Sequence, residues 1–132
     1  MSQNNVQLVQ QAYGNFRTGN IGALIDQMHD SVVWDVPVIA NSNVGGRRLG
    51  RTGTLEFFQT LGNDQEPVSF EPKEFFENGD KVVALGSYEW IVRKTGKRWV
   101  SEFVHVFTVQ NGKVTHFREH TDTAAAEEAY RA

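Results

Sequence analysis

The chain predicts an α+β fold in which helices come first and an antiparallel sheet follows. Three observations carry this. Apolar residues recur at helical spacing through the first 30 residues, the pattern switches to alternation from Val68 onward, and three glycine-bearing turns join four strand-like runs. A length of 132 residues suits one domain, residues 1–132, with enough chain to bury a core unaided. No linker or internal repeat divides it.

Each element can be read in order. Val6, Val9, Tyr13 and Phe16 step by three and four, and "TGN" at 18 to 20 ends that helix. A shorter helix follows, with Ile21, Leu24, Ile25 and Met28 on one side. "SVVWDVP" is a short strand closed by Pro37. "VIANSNVGGRRLGRTG" reads as a loop, and its glycines match neither the P-loop nor the dinucleotide spacing. "TLEFFQTL", residues 54 to 61, is a third helix. "VSFEPKEFF" alternates but contains Pro72, which marks an edge strand or a bulge. The turns "ENGDK", "KTGK" and "QNGK" then lead into "VVALGSYEWIV", "WVSEFVHVFTV" and "VTHFREHTD", an antiparallel meander with the helices on one face. "TAAAEEAYRA" forms a short helix or a frayed tail.

Composition narrows the function. A net charge of −3, with basic residues scattered apart from Arg47, Arg48 and Arg51, is poor electrostatics for nucleic acid. The absence of cysteine removes disulfides and thiolate chemistry and fits a reducing, cytoplasmic compartment. The polar start "MSQNNVQLVQQ" carries no secretory signal pattern, and no apolar run reaches the roughly 18 residues of a membrane span. No metal site is expected. His116 and His120 share a face but stand about 13 Å apart along a strand, and His29 is isolated. No serine sits in a nucleophile-elbow context.

The segment "FREHTD", residues 117 to 122, concentrates ionisable side chains on one strand, and the preceding turn decides which of them face inward. Asn111-Gly112 permits a two-residue type I′ loop, which pairs His105 with Arg118 and Phe103 with His120. It also permits a type I turn with a Gly bulge, which pairs His105 with Phe117 and Phe103 with Glu119. A one-residue slip exchanges the two faces. The bulge form is favoured, because it gathers Phe103, Phe107 and Phe117 around His105 and Glu119. Arg118, His120 and Asp122 then face outward.

The "DSVVW…P" strand, the glycine-rich loop before helix three and "EFVHVFTVQNGKVTHFREHTD" together resemble the SnoaL-like polyketide cyclases. These belong to the nuclear transport factor 2-like, or cystatin-like, superfamily, whose fold ketosteroid isomerases, limonene-epoxide hydrolases and scytalone dehydratases share. The resemblance implies three N-terminal helices packed on a strongly curved antiparallel sheet that forms a cone around an apolar pocket. The cyclases end in a strand of pattern "HRDxxD" whose first Asp is an acid/base, and Glu119 stands at that position. The water-activating Asp of the epoxide hydrolases also falls on Glu119. His105 aligns with a cyclase histidine and, more loosely, with the isomerases' protonated oxyanion-hole Asp. Departures matter too. The isomerase base position is Val36, with Asp35 one place off. The isomerase Tyr falls at Ala12, and its neighbour Tyr13 points elsewhere on the helix. The hydrolase Arg-Asp pair is absent, since "SYEWIVR" offers only Glu89 and Arg93. A cyclase-like or unassigned acid/base site therefore fits best.

A carboxylate on an aromatic wall is desolvated towards a usable base, so Glu119 is the candidate proton acceptor and His105 the candidate stabiliser of a developing oxyanion. Trp34, Phe16, Phe58, Phe103, Phe117 and Tyr13 are the candidate pocket lining. The expected ligand is a small apolar carbonyl or polyketide-like compound, transformed without a cofactor. The resemblance implies a homodimer through the convex sheet face. A non-catalytic ligand-binding module or interaction scaffold stays open. A scaffold would show the cavity filled by side chains, or Glu119 locked by an Arg or Lys.

Overall fold

A computed structural model describes residues 4–132. Met1, Ser2 and Gln3 of the polar N-terminal stretch lie outside the described residues. Helix α1 (Asn5–Arg17) begins where the Asn4 side chain accepts a bond from the Gln7 amide at 2.7 Å, which satisfies one of the first-turn donors. Gly19, at φ 75, turns the chain into α2 (Ile21–Asp26), capped in the same way by Asn20. Strand β1 (Met28–Val36) then precedes β2 (Gly46–Leu49) and α3 (Gly50–Asp64). Strands β3 (Gln65–Asn78), β4 (Lys81–Val92), β5 (Arg98–Gln110) and β6 (Lys113–Thr121) follow, and α4 (Thr123–Tyr130) closes the chain.

The six strands form one curved, unclosed sheet in the order β2-β1-β6-β5-β4-β3. Neighbours are antiparallel except β1 and β6, which run parallel. The expected α+β plan is therefore present, but its order differs. Two strands precede α3, so the helices do not all lead the sheet, and a fourth helix forms at the end. Strand β2 lies inside the predicted loop. "GRRL" has no apolar alternation, and pairing with β1 holds it extended, with Asp35 directly opposite Arg47. Helix α3 begins four residues earlier than its apolar pattern, where Arg51 Nε donates to the Met28 carbonyl at 2.9 Å. Strand β3 is an edge strand with irregularities at Pro67/Ser69 and Pro72/Glu74, as Pro72 foretold.

The last hairpin corrects the register. Asn111 and Gly112 both have positive φ, 52 and 76, and Gln110 pairs with Lys113, so the turn is the two-residue form. One turn of the ladder later Val109 pairs with Val114 but Thr108 pairs with His116, so Thr115 is an extra residue in β6. The bulge thus sits in the strand rather than the turn. It restores the face assignment that the bulged turn would have given, while His105 now opposes Glu119, Phe107 opposes Phe117 and Phe103 opposes Thr121. Arg118 and His120 point outward and are exposed, and Asp122 caps α4 by accepting from the Ala125 amide.

Two buried clusters cover the concave face. One joins Leu8, Val9 and Tyr13 of α1 to Trp34, Phe107 and Phe117, and the other joins Tyr88, Trp90, Trp99 and Phe103 to Ala126, Ala129 and Tyr130 of α4. Gly86 has a specific task between them. A Cβ there would lie 2.5 Å from the Phe103 ring and 2.3 Å from the Glu71 carbonyl oxygen, so only glycine lets β3 and Phe103 approach β4 this closely.

Candidate functional site

Alternation along β5 and β6 places His105 and Glu119 side by side on the concave face, and α1 crosses above them. His105 is buried, and both of its ring nitrogens are engaged. Nδ1 lies 2.7 Å from the Tyr13 hydroxyl and Nε2 lies 2.8 Å from Glu119 Oε2. The Tyr88 hydroxyl also reaches Glu119 Oε2, at 3.2 Å, and Thr121 Oγ1 at 2.6 Å, and the Thr121 hydroxyl donates to Ser101 Oγ at 3.0 Å. One line of polar groups thus runs Tyr13–His105–Glu119–Tyr88–Thr121 across an otherwise aromatic wall. The Phe103 ring stacks on His105 at 4.2 Å between centroids and fixes the imidazole plane.

Charge and burial decide how protons are arranged on this line. Burial first, and the neighbouring Glu119 charge second, push the Tyr13 and Tyr88 phenols far above the ordinary tyrosine range. Both phenols therefore stay neutral and act as donors. With Tyr13 donating to Nδ1, the imidazole carries its proton on Nε2 and donates to Glu119. These bonds all fall on Oε2. Among the described residues Oε1 receives no hydrogen bond, and the Glu119 side chain keeps 15% of its surface exposed against 5% for His105.

These residues border a cavity of about 90 Å³, lined by the helices, the Pro37–Gly45 loop and the concave sheet face. Of the residues singled out in the sequence, Glu119, His105, Trp34, Phe16, Phe58, Phe117 and Tyr13 line it. Phe103 does not. It is almost wholly buried behind His105, packed on Phe70 and Tyr88. Tyr13 differs from expectation in the other direction, because its hydroxyl points at His105 rather than away from the site. Val36 lines the cavity, while Asp35 faces the other side of the sheet, bound to Arg47 through two bonds and to His116 Nε2 at 2.7 Å. The Arg47 bond, and His116 after it, hold the Asp35 carboxyl below the usual carboxylate range.

Tyr88, Thr121, Gln65, Ser42 and Tyr130 add to the polar lining and were not singled out from sequence. "ALGSYEW" carried a usable signal. Its small residues Ala84 and Gly86 oppose His105 and Phe103 in the β4–β5 register, and Tyr88 follows two positions on along the same face. No cavity-lining residue is Lys or Arg, so no cation locks Glu119. Among the described residues, no group of three or more His, Cys, Asp or Glu is placed to hold a metal, and no helix is long and apolar enough to cross a membrane.

Comparison with known proteins places this geometry. The SnoaL-like domain family matches residues 9–117, most of the chain. No curated protein matches the sequence. An NTF2-like protein from Burkholderia xenovorans LB400 is 26% identical with a TM-score of 0.89, the match covering 99% of this chain and 98% of that one. TerC, co-crystallized with polyporic acid, is 30% identical with a TM-score of 0.82, covering 97% and 98%. A structure described provisionally as a SnoaL-like polyketide cyclase, from Mesorhizobium loti, is 16% identical with a TM-score of 0.73 over 89% and 99%, and shares the fold.

Proposed function

From the premise that this chain belongs to the SnoaL-like domain family, we propose that it is a cofactor-independent acid/base enzyme acting on a small, neutral carbonyl or polyketide-like compound. The observation that carries the proposal is the hydrogen-bonded line Tyr13–His105–Glu119 on the wall of an aromatic cavity. Glu119 offers the partnerless Oε1 to a ligand while Oε2 is held in place, which is the arrangement a positioned general base requires. The C–H bond α to a carbonyl breaks, the proton passes to Oε1, and the electron pair moves onto the carbonyl oxygen as an enolate. Return of the proton at another carbon gives an isomerisation, and attack of the enolate carbon on a second carbonyl gives ring closure.

His105 takes a different part from the one the sequence suggested. Neither ring nitrogen is free for an oxyanion, so His105 acts as a positioning residue that orients Glu119 and couples it to the Tyr13 phenol. That TerC was co-crystallized with polyporic acid supports a small-molecule ligand for this cavity. Outside the cone, the register aligns Phe76, Val83 and Val106 in one row and Leu85 and Val104 in the next, an apolar outer face that supports pairing with a second copy.

The test is solvent deuterium exchange at the α-carbon of a panel of neutral cyclic ketones, followed by proton NMR. Wild type is expected to accelerate exchange for members that fit the cavity, and Glu119→Gln to lower that rate about 10²- to 10⁴-fold while the fold persists. Ligand binding by the wild type with no Glu119-dependent exchange would instead identify a non-catalytic binding protein.

A further inference from the structure

Three side-chain polar atoms are buried without a protein partner among the described residues: Trp34 Nε1, Arg48 Nε and the Tyr130 hydroxyl. They are not equivalent. Arg48 satisfies its guanidinium elsewhere, through Nη2 to the Asn43 and Val44 carbonyls, and does not line the cavity. Ser42 and Gln65 flank the Tyr130 hydroxyl closely enough to influence it, and a phenol can rotate to either. Trp34 has no such escape. Its indole is 4% exposed, stacked on Phe117 at 3.9 Å and flanked by Phe57 and Phe58 at 5.5 and 5.4 Å, all of them rings that offer no acceptor atom.

An indole N–H is a donor only, and a buried donor without an acceptor costs free energy. Trp34 lines the same cavity as Glu119. In the parallel β1–β6 register Trp34 sits beside Phe117, two residues before Glu119 on the same face. The two backbones are therefore diagonal neighbours, about 8 Å apart from a strand spacing near 4.8 Å and a rise near 3.3 Å per residue.

We propose that the Trp34 indole N–H anchors the carbonyl oxygen of the substrate and so presents its α-carbon to Glu119. This rests on the reading of Glu119 as the base and adds the ligand's chemistry to it. The substrate is a flat, uncharged ketone that carries a C–H bond on the α-carbon. The cavity carries no Lys or Arg to receive a carboxylate or phosphate, Trp34 is the lining indole buried without an acceptor among the described residues, and the walls are aromatic. A hydrocarbon of the same shape leaves Trp34 unpaired and is discriminated against.

The test compares 1-tetralone with tetralin, which has the same ring system without the oxygen, by 15N-labelled NMR titration. The chain has three tryptophans, and Trp34→Phe assigns the Trp34 indole signal by its disappearance. In the wild type, 1-tetralone is expected to move that indole proton downfield and to bind more tightly than tetralin. Trp34→Phe is expected to weaken 1-tetralone roughly three- to tenfold, the scale of one neutral hydrogen bond, and to leave tetralin unchanged. If 1-tetralone binds but the indole proton does not respond, or if Trp34→Phe weakens both compounds equally, the anchoring role is overturned and the Glu119 reading survives. If neither compound enters the cavity at all, both fall. The wild-type titration decides the question even where the variant folds poorly.

Discussion

Replacing Tyr13 by Phe isolates the coupling on which the site depends. The ring of Tyr13 packs against Phe70, Phe75 and Phe107 at 5.7 to 6.1 Å between centroids, and those contacts survive the substitution. What disappears is the 2.7 Å bond to His105 Nδ1. With Nε2–H committed to Glu119, Nδ1 becomes a buried acceptor without a partner, at a cost of about 1–3 kcal/mol. For a domain of this size that corresponds to a fall in Tm of about 3–10 °C. Glu119→Gln removes the charge that accepts the Nε2 proton, and an amide can still accept through its oxygen, so it should cost less, about 1 kcal/mol. Because the three groups form one line, the losses should not add. A double-mutant cycle by urea denaturation should give a coupling energy of about 0.5–3 kcal/mol. A Tyr13→Phe variant as stable as wild type, or strict additivity in the cycle, would refute the claim that Tyr13, His105 and Glu119 act as a unit.

Further outcomes follow from the ionisation of particular groups. Burial raises all three tyrosines, Tyr13, Tyr88 and Tyr130, whereas unfolded phenols ionise near pH 10. Their contribution to stability is full below pH 10 and is lost as pH rises above it. Absorbance at 295 nm should thus show one steep step coincident with alkaline unfolding, and gradual ionisation around pH 10 in the folded protein would contradict the burial. Asp35 behaves in the opposite sense. Its lowered folded value means that the Arg47 and His116 contacts stabilise above the unfolded value near 4 and lose effect as pH falls through the folded one. Asp35→Asn should cost under about 1 kcal/mol at pH 7, since the Arg47 partner is largely exposed. Urea titrations should find that difference shrinking below pH 4, and a constant difference down to pH 2 would exclude the linkage.

How much of this was legible beforehand can be traced to particular residues. The meander was, because Asn-Gly and its flanking alternation specify a hairpin locally. The identity of the inward residues also came through, although by a different route. Thr115 bulges within β6, where nothing in the local sequence marks an extra residue, and it compensates for the tighter turn. Strand β2 could not be seen, since "GRRL" is extended only because β1 lies beside it. Glu119 and His105 were singled out because the resemblance aligns them with polar site groups and alternation puts them on an aromatic face, and both line the cavity. Tyr88 and the true orientation of Tyr13 depend on how α1 and β4 cross that face, which is a tertiary fact.

The most direct measurement is a crystal structure of the protein soaked with 1-tetralone. The account expects the ketone within the cone, its oxygen at hydrogen-bond distance from Trp34 Nε1 and its α-carbon facing Glu119 Oε1, with Oε2 still held by His105. A cavity closed by its own aromatic side chains, or a Glu119 turned away from the ligand, would contradict it.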